Sequence, residues 1–285
     1  MVTSNLKRFL LLMVVPLAAA LGADADPVDI VRRSLSVENE NAKRARNYTF
    51  LQRDEHRQLD GNGQVKSKSV KTWDVTMLEG SAYRRLIERD DHPLSEREEQ
   101  QEQAKLRKSI EERRHETEAQ RAKRLAAYEK RPGRNREVLN EIPDAFDFRL
   151  RGEESIQSRP VYVIDATPKS GYRVRNSEAR RVLPKLKATL WIDKADLSWV
   201  RVNAEVIDSI SVGFFLFRVA KGARIEIEQG RVNEEVWLPL RVRMSASATV
   251  GLVKKLRVEE ELTFRNFRKF QSDSQVVLDG QDGIR

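Results

Sequence analysis

The chain has 285 residues, 39% of them hydrophobic and 34% charged, and a formal net charge of +9. That length holds one large domain or two small ones, and the charge content exceeds the roughly 25% of an average globular chain, so some segment must be heavily solvated. It contains no cysteine, which excludes disulfides, thiol nucleophiles, thiolate metal ligands and a lipid carried on an N-terminal cysteine.

The chain opens "MVTSNLKRFLLLMVVPLAAALGADADP". Lys7 and Arg8 form a positive n-region, Phe9 to Leu21 is apolar around Pro16, and small residues follow. This predicts a secretory signal peptide over 1–25, cleaved after Gly22 or Ala25. The apolar stretch is short of the roughly 20 residues that a spanning helix needs. The mature chain is therefore expected to be exported and soluble. For an exported basic protein the natural anionic partners are lipid head groups and envelope polymers, although a basic balance also serves plain solubility.

Asp26 and Pro27, followed by Val28, Val31 and Leu35, predict a capped helix ending near Arg46. Strands are predicted over 48–57, 65–78 and 83–88, the first two joined by the turn "DGNG" at 60–63. Residues 94–131 differ. Pro93 and Pro132 bracket a run rich in Glu, Arg, Lys, Gln and Ala, and Ser95 with Glu98 makes a capping box. A continuous helix here would be roughly 57 Å long. Its apolar stripe (Leu106, Ile110, Ala119, Ala122, Leu125, Ala126) is too thin for a coiled coil, so a solvated helix or helix pair is expected, or else an arm that docks a partner. A short helix is predicted at 135–142.

From Phe146 onward strand patterns follow one another in "FDFRLRG", "RPVYVIDATP", "KLKATLWIDK", "LSWVRVNAEVID", "SVGFFLFRVAKG", "ARIEIEQG", "EEVWLPLRVRMSASATV" and "LRVEEELTF". With the early strands this makes about eleven, and short connections imply antiparallel neighbours in one large up-and-down sheet that must curl. The expected organisation is a single unit over 26–272, interrupted by a charged helical insertion at 94–142, with a tail at 273–285.

The chemistry-bearing patterns are sparse. His56, His92 and His115 are scattered without metal spacing and read as surface residues, so no metal or cofactor is expected. Nucleophile-elbow, phosphate-loop, dinucleotide and zincin motifs are all absent, and no catalytic residue is assigned. "YRVRNSEARR" at 172–181 has one aromatic, too few for a nucleic-acid platform; it reads as a basic loop suited to peripheral contact with anionic lipid. The stronger signal is alternation. Leu190 and Ile192, Val200 and Val202, Phe214 and Leu216, Ile225 and Ile227, Leu240, Val242 and Met244, and Leu262 and Phe264 fall on one face with Ala188, Ala204, Val206 and Leu238. Arg201, Asn203, Glu205, Arg224, Glu226, Arg241 and Arg243 fall on the other, as do Trp191, Trp199 and Trp237. One face is apolar and one wet. The apolar face is either a core under helices or the wall of a trough for an acyl chain.

The hairpin "LWIDKADLSWVRV", and "VAKGARIEIEQGRVNEEVWLPLRV" followed by "FRNFRKF", resemble the periplasmic outer-membrane lipoprotein carrier (LolA-like) superfamily. The second tract is similar to a group of exported proteins of acidobacterial type. The resemblance covers roughly 26–272. It implies a non-enzymatic half-barrel whose concave apolar face, lidded by helices, shields lipid or lipidated protein. The 94–131 insertion departs from the compact members. The expectation is thus a carrier or chaperone, periplasmic like that superfamily, whose wall comprises the thirteen residues from Leu190 to Phe264 named first on the apolar face above. Burial stabilises by about 0.8 kcal/mol per CH₂. The alternative is an envelope scaffold that meets a protein partner through the charged helix.

Overall fold

The computed structural model describes residues 26–177, 179–212, 217–250 and 254–270. The segment read as a signal peptide and the 273–285 tail lie outside them. Asp26 caps helix α1 (Pro27–Ala45), its side chain accepting from the Val28 amide at 3.0 Å. Strands β1 (Tyr48–Leu59), β2 (Val65–Leu78), β3 (Ser81–Arg89) and the two-residue β4 (His92–Pro93) follow. Helices α2 (Glu96–Arg114), α3 (Glu118–Asn140) and α4 (Ile142–Ala145) come next. The remaining strands are β5 (Phe146–Ile156), β6 (Arg159–Pro168), β7 (Leu186–Asp193), β8 (Trp199–Val206), β9 (Ile210–Val212), β10 (Phe217–Val219), β11 (Arg224–Val232), β12 (Val236–Val250) and β13 (Lys254–Lys269).

All pairings are antiparallel, and the strands form one unclosed sheet in the order β4-β3-β2-β1-β13-β12-β11-β8-β7-β6-β5. The β9–β10 hairpin attaches to β12. This corrects the simple up-and-down order. β13 returns to lie beside β1, so the first and last of the described strands meet mid-sheet and join two meanders. Three tight turns (Glu79–Gly80, Asp90–Asp91 and Gln157–Ser158) hold both central residues at positive φ. That mirror-image geometry matches the twist of the strands it connects.

The helical insertion is a helix pair, one of the arrangements expected, but its second helix runs further than expected. It breaks at His115, where Thr117 and Gln120 form a second capping box, and α3 then runs on through Pro132 and Gly133. An interior proline costs a helix about 3 kcal/mol. Beyond it Val138 and Leu139 dock on buried clusters, which holds the last turns in place. At the other end Leu106 and Ile110 of α2 bury against Leu78. Arg113 donates to the carbonyls of Leu78 and Ser81, and Arg124 to Ser81 Oγ and Glu79 O. The insertion therefore grips the β2–β3 turn.

The core lies between α1 and one sheet face. Ile30, Val31 and Leu35 pack on Ile164, Leu190, Ile192 and Trp199. Each such side chain contributes about 1.5–3 kcal/mol on burial. The basic loop 169–185 closes the neighbouring part of this face. Its Val174, Ala179 and Leu183 bury with Phe146 and Ala166, while Arg173, Arg175, Arg180 and Arg181 stay exposed.

Candidate functional site

Directly paired residues in an antiparallel sheet share a face. The row Ile164–Leu190–Val202–Ile227–Val242–Leu262 is therefore continuous across β6, β7, β8, β11, β12 and β13. It spans about 24 Å at roughly 4.8 Å per strand. Beside it runs the row Ala166–Ala188–Ala204–Ile225–Met244–Glu260.

The cover on this face stops part-way. Leu190 and Ile192 are buried under α1, and Val202 packs at the edge of that cluster. Ile225, Ile227, Val242, Met244, Leu262 and Phe264 are only half-buried, and they enter none of the buried clusters formed among the described residues. Phe264 instead stacks edge-on to Phe50, with ring centroids 5.5 Å apart. Phe214 and Leu216 lie outside the described residues. The tract containing them, read as one strand, is divided into β9 and β10.

Two wall residues and one tryptophan sit differently from the alternation. The β7–β8 register shifts between Trp191 and Ile192, so Ile192 faces Trp199 while Trp191 faces Arg201. The extra residue turns Trp199 into the cluster beneath α1 and moves Val200 out of the predicted row. Val200 packs instead with Val161, Val163, Trp191 and Trp237. A second shift, between Glu228 and Gln229 in the β11–β12 pair, interrupts the alternation at Leu240, which lies against Gly230.

The opposite face carries charged rows. One is Asp165–Thr189–Asn203–Glu226–Arg243–Glu261–Glu55, and the next is Lys187–Glu205–Arg224–Ser245–Glu259–Arg57. Both line a cleft of about 1110 Å³ that touches eight strands, from β5 round to β1, and Ala166, Ala188, Ala204, Ile225 and Met244 of the second apolar row line it as well. Its charges are paired with one another. Arg243 meets Glu226 at 3.1 Å and Glu261 at 3.7 Å, Lys187 meets Glu205 at 3.3 Å, and Arg149 meets Asp165 at 2.9 Å. Buried Glu55 sits among Arg53, Arg57 and Lys68. Burial pushes its carboxyl up, but the hydrogen bonds from Arg53 and Arg57 together with the charges of Arg57 and Lys68 outweigh this and hold it below the usual range. Such a ladder braces the curl and leaves little charge unmatched for a ligand.

Sequence reasoning missed the seam that docks α1. Ser34, Glu38 and Asn41 lie three and four residues apart on one stripe of the helix. Trp199 Nε1 donates to Ser34 Oγ at 2.8 Å, and the Trp199 amide donates to Glu38 Oε1 at 2.9 Å. Asn41 accepts from the Trp237 amide at 2.8 Å and donates to the Trp237 carbonyl at 2.7 Å. Ser34 is fully buried. Burial pushes the Glu38 carboxyl up to about 7; the Trp199 amide and the Gln229 side chain pull the other way, and the Asp196 carboxylate adds to the rise. The signal available in sequence was three polar residues at the helical spacing of a buried stripe.

His56, His92 and His115 are all exposed, and among the described residues no group of three or more His, Cys, Asp or Glu is placed to hold a metal. Among the described residues no helix is long and apolar enough to cross a membrane.

No family model matches the chain, and no curated protein does. Solved structures do. The chain is similar to an outer membrane lipoprotein-sorting protein domain from Vibrio parahaemolyticus, at 11% identity over 86% of this chain and 95% of that one, with a TM-score of 0.35. A DUF1329 family protein from Desulfovibrio piger matches at 12% identity, 88% and 96% coverage and a TM-score of 0.33. A LolA superfamily protein from Nitrosomonas europaea matches at 11% identity, 84% and 94% coverage and a TM-score of 0.31. Likeness at this level makes no statement about what this chain binds.

Proposed function

We propose that this chain is an exported, periplasmic, non-enzymatic carrier that shelters the acyl chain of a lipid or lipidated protein on the apolar sheet face. The observation that carries the reading is the incomplete cover. One apolar row leaves the shelter of α1 at Val202 and continues half-buried through Ile227, Val242 and Leu262. An acyl chain laid along that row would extend the cover α1 begins. Each CH₂ removed from water contributes about 0.8 kcal/mol, before the cost of ordering the chain. The exposed arginines of the 169–185 loop would rest against anionic head groups.

The test is binding of a fluorescent fatty acid to the mature protein. Leu262→Glu and Met244→Arg are expected to weaken it at least tenfold while the circular dichroism spectrum stays that of the parent. Unchanged affinity in either folded variant removes the wall assignment.

A second reading keeps a protein partner on the charged helices. It is favoured by α2, whose Leu106 and Ile110 are its buried residues while most of its polar side chains stay exposed. A chain lacking 94–131 separates the two: a carrier retains the fatty acid, and a scaffold loses its partner.

A further inference from the structure

The two ends of the sheet treat their cations differently. At the end marked by the β7–β8 and β11–β12 turns, carboxylates take them up. Arg159 meets Asp193, Lys194 meets Glu153 at 2.6 Å, Arg231 meets Glu234 at 3.2 Å and Lys269 meets Glu235 at 2.7 Å. The other end holds the β1–β2 and β10–β11 turns, the 169–185 loop and the start of β13. There Lys66, Arg173, Arg181, Lys221 and Lys255 are exposed, and no carboxylate among the described residues pairs with them. Arg218 donates to Ser209 Oγ at 2.6 Å and Arg257 to the Gly61 carbonyl at 3.3 Å, both uncharged acceptors. Carboxylates at this end are already engaged: Glu205 by Lys187 and Arg224, Asp208 by Lys185, and Asp60 by the amides of Asn62 and Gln64. An excess of positive charge remains.

Backbone pairing gathers these groups. The Lys185 carbonyl accepts from the Ile207 amide at 2.8 Å and its ammonium donates to the Ser209 carbonyl at 2.5 Å, which fixes the 169–185 loop against the start of β9. Arg218 on β10 lies opposite Thr249, and Thr249 lies opposite Lys255. The two cations therefore share a face two strands apart, about 10 Å. Arg257 stands beside the end of β1 at Leu59. From β2 through β1, β13, β12 and β10 to β9, this end of the sheet is roughly 24 Å wide at about 4.8 Å per strand. That spread exceeds one phosphate and suits an extended anionic surface.

The residues between the strands point to the kind of surface. The segments joining β9 to β10 and β12 to β13 lie outside the described residues, and in sequence they read Gly-Phe-Phe-Leu (213–216) and Gly-Leu-Val (251–253). The strand ends that carry them, Val212, Phe217, Val250 and Lys254, are neighbours through successive pairings. Apolar residues among unpaired cations match a lipid interface, whose acyl boundary takes the one and whose phosphates take the other; a wholly polar polyanion offers only the second.

We propose that this end of the sheet is a docking surface for a bilayer that carries anionic phospholipid. It extends the head-group contact given above for the 169–185 loop to a continuous basic end. It stands on charge and placement, whether or not the apolar row holds an acyl chain.

Co-flotation of the mature protein with phosphatidylcholine vesicles, with and without phosphatidylglycerol, tests it. Binding is expected only with phosphatidylglycerol and is expected to weaken as salt is added. Each cation neutralised near the surface costs about fivefold, so Lys221→Gln with Lys255→Gln should weaken binding at least tenfold. The same change in net charge at the opposite end, Arg231→Gln with Lys269→Gln, should leave it unaltered. No binding by the parent overturns the proposal, as does equal binding to pure phosphatidylcholine or an equal loss from the opposite-end pair. Polyphosphate that displaces the vesicles at matched phosphate overturns the choice of lipid. Fatty-acid binding measured in parallel keeps the two readings apart. Vesicle binding by a chain that takes up no fatty acid supports the docking surface and removes the acyl-chain reading; fatty-acid uptake without vesicle binding removes the docking surface.

Discussion

Asp193 shows how one residue organises a strand connection. It is fully buried, and Arg159 holds both of its oxygens, at 2.5 and 2.9 Å. One oxygen also accepts from the amides of Ala195 and Asp196, so a single carboxylate shapes the β7–β8 turn. Arg159 in turn stacks over Trp237, whose indole donates to Asp196. Burial pushes the Asp193 carboxyl up, but the Arg159 hydrogen bonds, the Ala195 and Asp196 amides and the Arg159 charge together outweigh this and the net shift is downward. Asp193→Ala would leave Arg159 and two turn amides without their acceptor. It is expected to lower unfolding stability by about 3–5 kcal/mol in urea titrations at neutral pH. A carboxyl whose folded value is depressed stabilises fully above its unfolded value of about 3.9 and loses that contribution as pH falls through the folded value. The gap between parent and variant should therefore be flat at neutral pH and close below about pH 4. A gap that persists undiminished to strongly acid pH contradicts the assignment.

Elements were legible where their signals are local. Asp26–Pro27 and the Ser95–Glu98 box marked two helix starts, and alternation placed Leu190, Ile192, Val202, Ile227 and Val242 on one face. It failed at the two register shifts, because a single extra residue reverses inside and outside without a compositional trace. Trp199 and Val200 exchanged faces for that reason. Pro132 misled because a local rule was overridden by docking of Val138 and Leu139 further along. Gly230 illustrates the second shift. A Cβ there would lie 2.6 Å from Leu240 Cδ1 and 3.0 Å from its Cγ, so the position needs the missing side chain for space. Gly230→Ala is expected to cost about 1 kcal/mol or somewhat more by crowding. Shortening its neighbour in the double variant with Leu240→Ala should remove the crowding term, leaving a favourable coupling energy between the sites in a double-mutant cycle. Strictly additive effects would place the two side chains out of contact.

At the scale of the molecule the sequence revealed the fold class but not the strand order. Nothing local in β13 announces that it pairs with β1, more than two hundred residues earlier by number, to join the two meanders. Nor does a polar residue in α1 announce that its partner is a tryptophan amide at the mouth of β8. Together those partnerships set which part of the apolar face is covered. The large cleft is lined by the paired charges of the two polar rows and also by Ile225 and Met244 of the half-covered apolar face. The central claim is that the half-covered apolar row holds an acyl chain. Native mass spectrometry of the protein, purified gently from its own host and followed by lipid extraction, tests it most directly. The account predicts a lipid or lipopeptide in near-stoichiometric amount. A clean mass of the unliganded chain that takes up no added fatty acid would contradict it and turn attention to the α2–α3 surface.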